Sequence, residues 1–140
     1  MRHAIIALSL MLSAAGSAVG QSSVQRLALD AETTINGVKV ACTGVGQTRL
    51  DPKWGAYPIR VEFSDAKNQY MTDAVVSLAD QKGQALLEVS CEGPWVLMQP
   101  PQGAYQVHAR LMDSAAKPRS ARFTIPVRAQ QRIVLQFPDA

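Results

Sequence analysis

The sequence predicts an all-β protein, a seven- to eight-stranded antiparallel Greek-key β-sandwich. Apolar residues recur at every second position along most of the chain. The short runs that show this period are separated by Gly, Pro, Asn and Asp turn signals. Outside residues 4–15, no amphipathic run of helical period is long enough for a helix. A length of 140 residues makes one domain the default, and 47% hydrophobic against 18% charged residues excludes an intrinsically disordered chain. A formal charge of +3 with scattered basic residues is not an electrostatic nucleic-acid footprint.

Residues 1–20 read as a signal peptide. Arg2 and His3 form a short basic start, and residues 4–15 (AIIALSLMLSAA) are apolar apart from two serines. Small residues then offer cleavage after Gly20 or Ala18. The apolar run falls short of the ~20 residues needed to span a bilayer, so no membrane insertion is expected after cleavage. With no Cys at the cleavage region, a bacterial lipid anchor is excluded. The mature protein is expected to be periplasmic or secreted.

Residues 21–33 (QSSVQRLALDAET) form a lead-in, loose or with one short helical turn, and the sandwich spans 34–140. Ile35, Val38 and Val40 lead into Cys42 as a first strand, with Asn36-Gly37 as a bend or bulge near its start. Tyr57, Ile59, Val61 and Phe63 alternate with Pro58, Arg60 and Glu62. Residues 74–79 and 85–89 form a hairpin about Asp80-Gln81-Lys82-Gly83, a type I turn with Gly83 at positive φ. Trp95–Met98 follows Glu92-Gly93-Pro94. Pro100-Pro101-Gln102-Gly103 turns the chain into Tyr105, Val107, Ala109 and Leu111. Phe123, Ile125 and Val127 make the next strand, and Ile133, Leu135 and Phe137 close the chain.

Cys42 and Cys91 are the only cysteines. In an exported domain such a pair reads first as a disulfide, with two buried thiols as the alternative. A bridge closing a loop of about 50 residues stabilises by ~4 kcal/mol in the chain-entropy model.

Gly93-Pro94-Trp95 after a hairpin, then Pro100-Pro101-Gln102-Gly103-Ala104-Tyr105-Gln106-Val107, resembles the carboxypeptidase regulatory-like modules of small exported bacterial proteins. Their pattern is a Gly-Pro-Trp turn followed by Pro-Pro-Gly-x-Tyr-x-Val, and Gln102 is an extra residue against it. Gly44-Val45-Gly46 and Tyr70–Val75 fit the same group, so the resemblance covers about residues 36–137. It implies a prealbumin-like (transthyretin-like) sandwich, no catalysis, and binding of carbohydrate or packing against partner domains. Trp95 is expected in the core. Tyr105 is expected to bury its ring and bond a nearby backbone group, as corner tyrosines do.

Candidate chemistry is sparse. Zinc needs three or four close ligands, and one mature His, His108, cannot assemble them, so neither a metal nor another cofactor is expected. His108 reads as an exposed strand residue. Ser64, Ser77, Ser90, Ser114 and Ser120 lie in no nucleophile elbow. Glu62, Asp65, Asp73, Asp80, Glu88 and Glu92 read as turn and solvent-face carboxylates. The transthyretin-like hydrolases of purine breakdown use several histidines and a Tyr-Arg-Gly-Ser ending that this chain lacks. Residues 49–58 (RLDPKWGAYP) hold Trp54 and Tyr57, which could stack on a sugar, or else plug the sandwich end and begin a strand. The basic stretch around Lys117, Arg119 and Arg122 reads as a solvated rim.

The resulting expectation is an exported, non-enzymatic interaction module that binds an envelope protein through loops or an edge strand. The alternative is envelope-glycan binding through Trp54 and Tyr57, and an unrecognised hydrolase is the third reading.

Overall fold

Alternation with a period of two puts all the apolar side chains of a run on one face, so each such run is stable only with that face covered. A computed structural model, which describes residues 24–140, has ten strands. They are β1 (Gln25–Leu27), β2 (Glu32–Ile35), β3 (Val38–Thr43), β4 (Ile59–Asp65) and β5 (Ala74–Asp80), followed by β6 (Ala85–Cys91), β7 (Trp95–Gln99), β8 (Gly103–Leu111), β9 (Arg119–Ile125) and β10 (Gln131–Phe137). They form a β-sandwich of two mixed five-stranded sheets. Sheet I has the order β1-β6-β5-β8-β9 and sheet II the order β10-β4-β7-β3-β2. The expected signal peptide, residues 1–20, lies outside the described residues, as do Gln21–Ser23 of the lead-in.

The count of ten rather than seven or eight arises before residue 38. β1 lies within the segment expected to be loose or helical and pairs with Val89–Cys91. It has only three residues and buries only Leu27, so it carries no period to read. Asn36-Gly37 is not a bend within one strand. Both residues have positive φ, 48° and 79°, which makes them a two-residue turn of the type I′ kind between β2 and β3. Asn36 Nδ2 also donates to Leu86 O at 2.6 Å, tying this hairpin to sheet I.

The sheets are mixed rather than antiparallel because two strands near the chain ends, β1 and β10, join parallel to β6 and β4. A parallel neighbour needs a long connection, and β4 and β10 have one because the chain runs through β5–β9 before it returns to the edge of sheet II. β9 stops at Ile125, before Pro126, which has no N–H to offer a ladder.

One turn is used twice. Asp80 Oδ1 accepts from Lys82 N and Gln84 N at 2.9 Å each, and Gly83 takes φ 79°. Asp65 Oδ1 accepts from Lys67 N at 2.8 Å and Gln69 N at 3.0 Å, and Asn68 takes φ 61°. In both, an Asp side chain stands in for backbone, and Gly or Asn supplies the left-handed residue.

The core lies between the sheets. Val38, Val40 and Cys42 of β3 and Ile59, Val61 and Phe63 of β4 meet Ala74, Val76 and Leu78 of β5 and Val107 and Ala109 of β8. Cys42 and Cys91 are joined by a disulfide that links β3 of sheet II to β6 of sheet I. Just beyond it the chains approach too closely for side chains. A Cβ on Gly44 (φ 105°) would stand 2.9 Å from both Pro94 Cγ and the Trp95 ring, and one on Gly93 would run into Thr43 O. Gly93 N donates to Cys42 Sγ at 3.4 Å. Gly44, Gly93, Pro94 and Trp95 therefore meet around the bridge, whereas Gly46 faces open space. At the other end of the sandwich, Tyr105 stacks on Phe123 and donates from its hydroxyl to Pro101 O at 2.6 Å, over the turn that runs into Gly103.

Replacing Cys42 and Cys91 together by Ser should lower stability by about 2–4 kcal/mol in urea denaturation. Thiol titration of the denatured, unreduced protein should find no free thiol, and two free thiols would contradict the bridge.

Candidate interaction surface

The alternation that buries one face of sheet II turns Lys39, Ala41 and Thr43 of β3, Arg60, Glu62 and Ser64 of β4, and Trp95 and Leu97 of β7 to the other. On β10 the outward residues are Arg132, Val134 and Gln136. This outer face falls into three zones.

Over β3 and β7 it is covered by the β3–β4 connection, which forms two short 3₁₀ turns, Gln47–Leu50 and Pro52–Ala56. Asp51 caps the second by accepting from Lys53 N at 3.0 Å. Trp54 and Tyr57, 3% and 2% exposed, pack on Ala41 and Leu97 as a small second core. Trp54 Nε1 donates to Thr48 O at 2.8 Å, and Tyr57 Oη donates to Glu32 Oε1 at 2.8 Å. The Gln130 amide donates to the carbonyls of Trp54 and Tyr57 at 2.8 and 3.0 Å. Lys53 and Lys39 lie over the two rings at 4.5 and 5.3 Å. Neither ring offers a free face on which a sugar could stack. Burial and the Glu32 acceptor push the Tyr57 phenol well above its ordinary value, and the same hydrogen bond, with Lys39 nearby, lowers the Glu32 carboxyl.

In the centre, Glu62 is fully buried rather than solvent-facing. Arg132 Nε donates to Oε2, Tyr70 Oη donates to Oε1 at 3.1 Å, and an Arg60 guanidinium nitrogen stands 3.6 Å from Oε1. The Arg60 guanidinium lies 4.4 Å from the Trp95 ring centre, and Tyr70 meets that ring edge-on at 6.5 Å. Trp95 is thus half-buried on the outer face and not between the sheets, because its register partners Thr43 and Glu62 also point outward. A carboxylate with two guanidinium partners and a phenol donor can be buried where a single charge could not. The hydrogen bond to Glu62 and its charge raise Arg132 further above its ordinary value. Arg60 Nε, Ser64 Oγ and Trp95 Nε1, in the same patch, are buried with no hydrogen-bond partner among the described residues.

The third zone is the β10 edge. Gln131 N donates to Pro58 O at 2.7 Å, toward β4. Alternation then turns the N–H and C=O of Arg132, Val134 and Gln136 away from β4, to the side where sheet II ends. Val134 is 48% exposed there. β9, the last strand of sheet I, runs across from it, and a groove of about 360 Å³ between them is lined by Arg119, Ser120, Val134, Leu135, Gln136 and Pro138.

Sheet I places His108 in register with Ser77 on one side and Ser120 on the other, on its exposed face. An oriented imidazole would need a carboxylate beyond it. The nearby acid, Glu88, lies across Ser77 from His108 and pairs with Arg110 at 3.8 Å. Among the described residues no three His, Cys, Asp or Glu side chains lie close enough to hold a metal ion, and no helix is long and apolar enough to cross a membrane.

Sequence reasoning missed Glu62 and the β10 edge. The only local signal of the first was Arg60 two residues before Glu62 on the same strand face, and the acid-free stretch from Ser114 to Pro138 marks the charge beside the second but not the edge itself. The chain matches no family model, and no curated protein matches it significantly.

Trp54→Ala should cost about 3–5 kcal/mol of stability, as removal of a buried Trp does, measured by the urea midpoint. An exposed ring would leave the midpoint unchanged. Glu32 has a lowered folded pKa, so its stabilising effect is complete above the ordinary 4.5 and is lost as pH falls through the lower folded value. The stability difference between the native chain and Glu32→Gln should accordingly shrink as urea titrations are moved below that pH.

Proposed function

We propose that this chain is an exported, non-enzymatic module of the carboxypeptidase regulatory-like, prealbumin-like type. Its work is to bind a protein partner of the bacterial envelope through the open edge of β10. The single observation that carries the binding reading is that edge. β1 and β2 are edges of three and four residues, too short to template much of a strand, whereas β9 and β10 have seven each, and of these β10 carries the exposed apolar Val134. Native sheets usually cover or blunt an edge of that length. The outward N–H and C=O groups of Arg132, Val134 and Gln136 can hydrogen-bond an incoming strand, and the groove beside them can receive its side chains.

Other features support the remaining parts of the reading. The β5–β6 hairpin, the Gly93-Pro94-Trp95 crossing at the disulfide and the Tyr105 corner bond suit a Greek-key prealbumin-like arrangement. The Cys42–Cys91 bridge is compatible with an oxidising compartment, and residues 4–15 suit an export signal. The glycan reading depends on Trp54 and Tyr57, and with both rings packed on Leu97 no observation favours it.

A photo-crosslinking residue at Ser120, across the groove, is expected to give one dominant protein adduct in intact cells, while the same residue at exposed Val45 gives none. Val134→Pro removes an N–H that points away from β4, so it should leave the fold intact and abolish the adduct. An adduct that survives Val134→Pro, or one that forms from Val45 instead, would overturn the edge reading.

A further inference from the structure

From sequence, the cations near the C-terminus read as a solvated rim. Folded, they gather along one side of the sandwich. Residues 114–138 carry Lys117, Arg119, Arg122, Arg128 and Arg132 and no Asp or Glu. Those residues include β9 and β10, which are the open edges of sheets I and II on that side. Lys117 and Arg119 stand at one end of the β9–β10 side, Arg128 lies in the connection at the other, and Arg122 projects from the exposed face of β9.

The charge on this side is also unspent. Arg132 is engaged by Glu62, but Lys117, Arg119, Arg122 and Arg128 form no ion pair among the described residues. Elsewhere Arg26, Lys39, Arg60 and Arg110 are each paired with Glu; Arg49, Lys53, Lys67 and Lys82 of the turns also form no ion pair among the described residues, but each lies within two residues of Asp51, Asp65 or Asp80 in sequence. Arg119 is unusual for an edge strand. It alternates with Ala121 and Phe123, opposite buried Ala109, so its side chain turns toward the groove, and its Nε is buried without a partner.

The end of the groove already accepts one carboxylate, supplied by the chain itself. Asp139 Oδ2 accepts from Lys117 N at 2.9 Å. That hydrogen bond, with Arg119 and Lys117 nearby, keeps the carboxyl below its ordinary value.

We infer that the β9–β10 side takes an acidic extended segment of a partner protein, which adds to β10 as a strand and sets Asp or Glu side chains against Arg119, Lys117 and Arg128. This assignment of partner chemistry rests on the edge-strand reading above. Main-chain bonds to Arg132, Val134 and Gln136 hold the guest, and the alternation of its side chains turns every second one into the groove. Opposite charges across neighbouring strands select an acidic guest over a basic one. Asp139 is then a tethered competitor at one end.

The test uses labelled, capped peptides of about ten residues, one alternating Glu with Val and one alternating Lys with Val, with binding followed by anisotropy. The Glu-Val peptide should bind saturably, weaken as salt rises from about 50 to about 500 mM, and fail when its backbone is N-methylated along one edge. The paired change Lys117→Gln and Arg119→Gln should weaken it about tenfold. Arg128→Gln, in an exposed connection where folding is not at stake, should weaken it about threefold, and Asp139→Asn should tighten it by a similar factor.

Equal binding of the Lys-Val peptide, or indifference to all of these substitutions, would overturn the acidic assignment. So would binding of heparin or anionic vesicles that displaces the peptide while N-methylation has no effect, since the site would then serve a polyanion and not a strand. If the Ser120 adduct forms and is lost in Val134→Pro while the Glu-Val peptide does not bind, the edge reading stands and the acidic partner falls. If the Glu-Val peptide binds equally well to Val134→Pro, both fall together.

Discussion

The covalent tie between Cys42 and Cys91 is the constraint from which much of the arrangement follows. It fixes the end of β3 in one sheet to the end of β6 in the other. The two chains then continue past each other at a distance that only Gly44 and Gly93 permit. From Gly93 the path into β7 is set, and Trp95 is placed opposite Thr43 and Glu62, on the outside of sheet II. The register that follows sets the Trp95 ring against the Arg60 guanidinium, beside Glu62. Asp30 reinforces the same corner: its N–H donates to Cys42 O at 2.8 Å, and its carboxylate accepts from the hydroxyls of Thr43 and Thr48.

The two halves of sheet II's outer face are treated differently, with physical reasons for each. Over β3 and β7 the outward residues include Ala41 and Leu97, small or apolar, and these two are covered by the Trp54–Tyr57 segment. Over β4 and β10 the outward residues include Arg60, Glu62 and Arg132, whose opposite charges meet at Glu62 without a lid of backbone. A cover on one half and self-neutralisation on the other leave β10 as the boundary where the sheet stops and its hydrogen-bonding groups continue to point outward.

What was legible in the sequence was whatever a period of two or a turn residue encodes. β4, β8 and the β5–β6 hairpin follow the alternation and the Asp80–Gly83 signal closely, and the cysteine pair is found bridged. β1 was illegible because three residues cannot display a period, and the parallel pairing of β10 because register between distant strands leaves no local mark. Asn36-Gly37 was underread: in a two-residue connection it is a hairpin signal even when the strand before it is short. Trp95 and Glu62 share one cause. Alternation says that a residue faces away from the core but not whether something else covers that second face, and here a folded-back segment and a charge cluster do.

The cations bordering the open edge have an effect on the protein's own copies. An unprotected seven-residue strand is a template on which an identical molecule can pair edge to edge, β10 against β10, as a closed twofold dimer. Two copies meeting there would bring Lys117, Arg119 and Arg128 of each near the same cations of the other, with Asp139 at one end to offset them. Repulsion between like surfaces therefore works against such self-pairing, while the outward backbone groups of the edge carry no charge of their own.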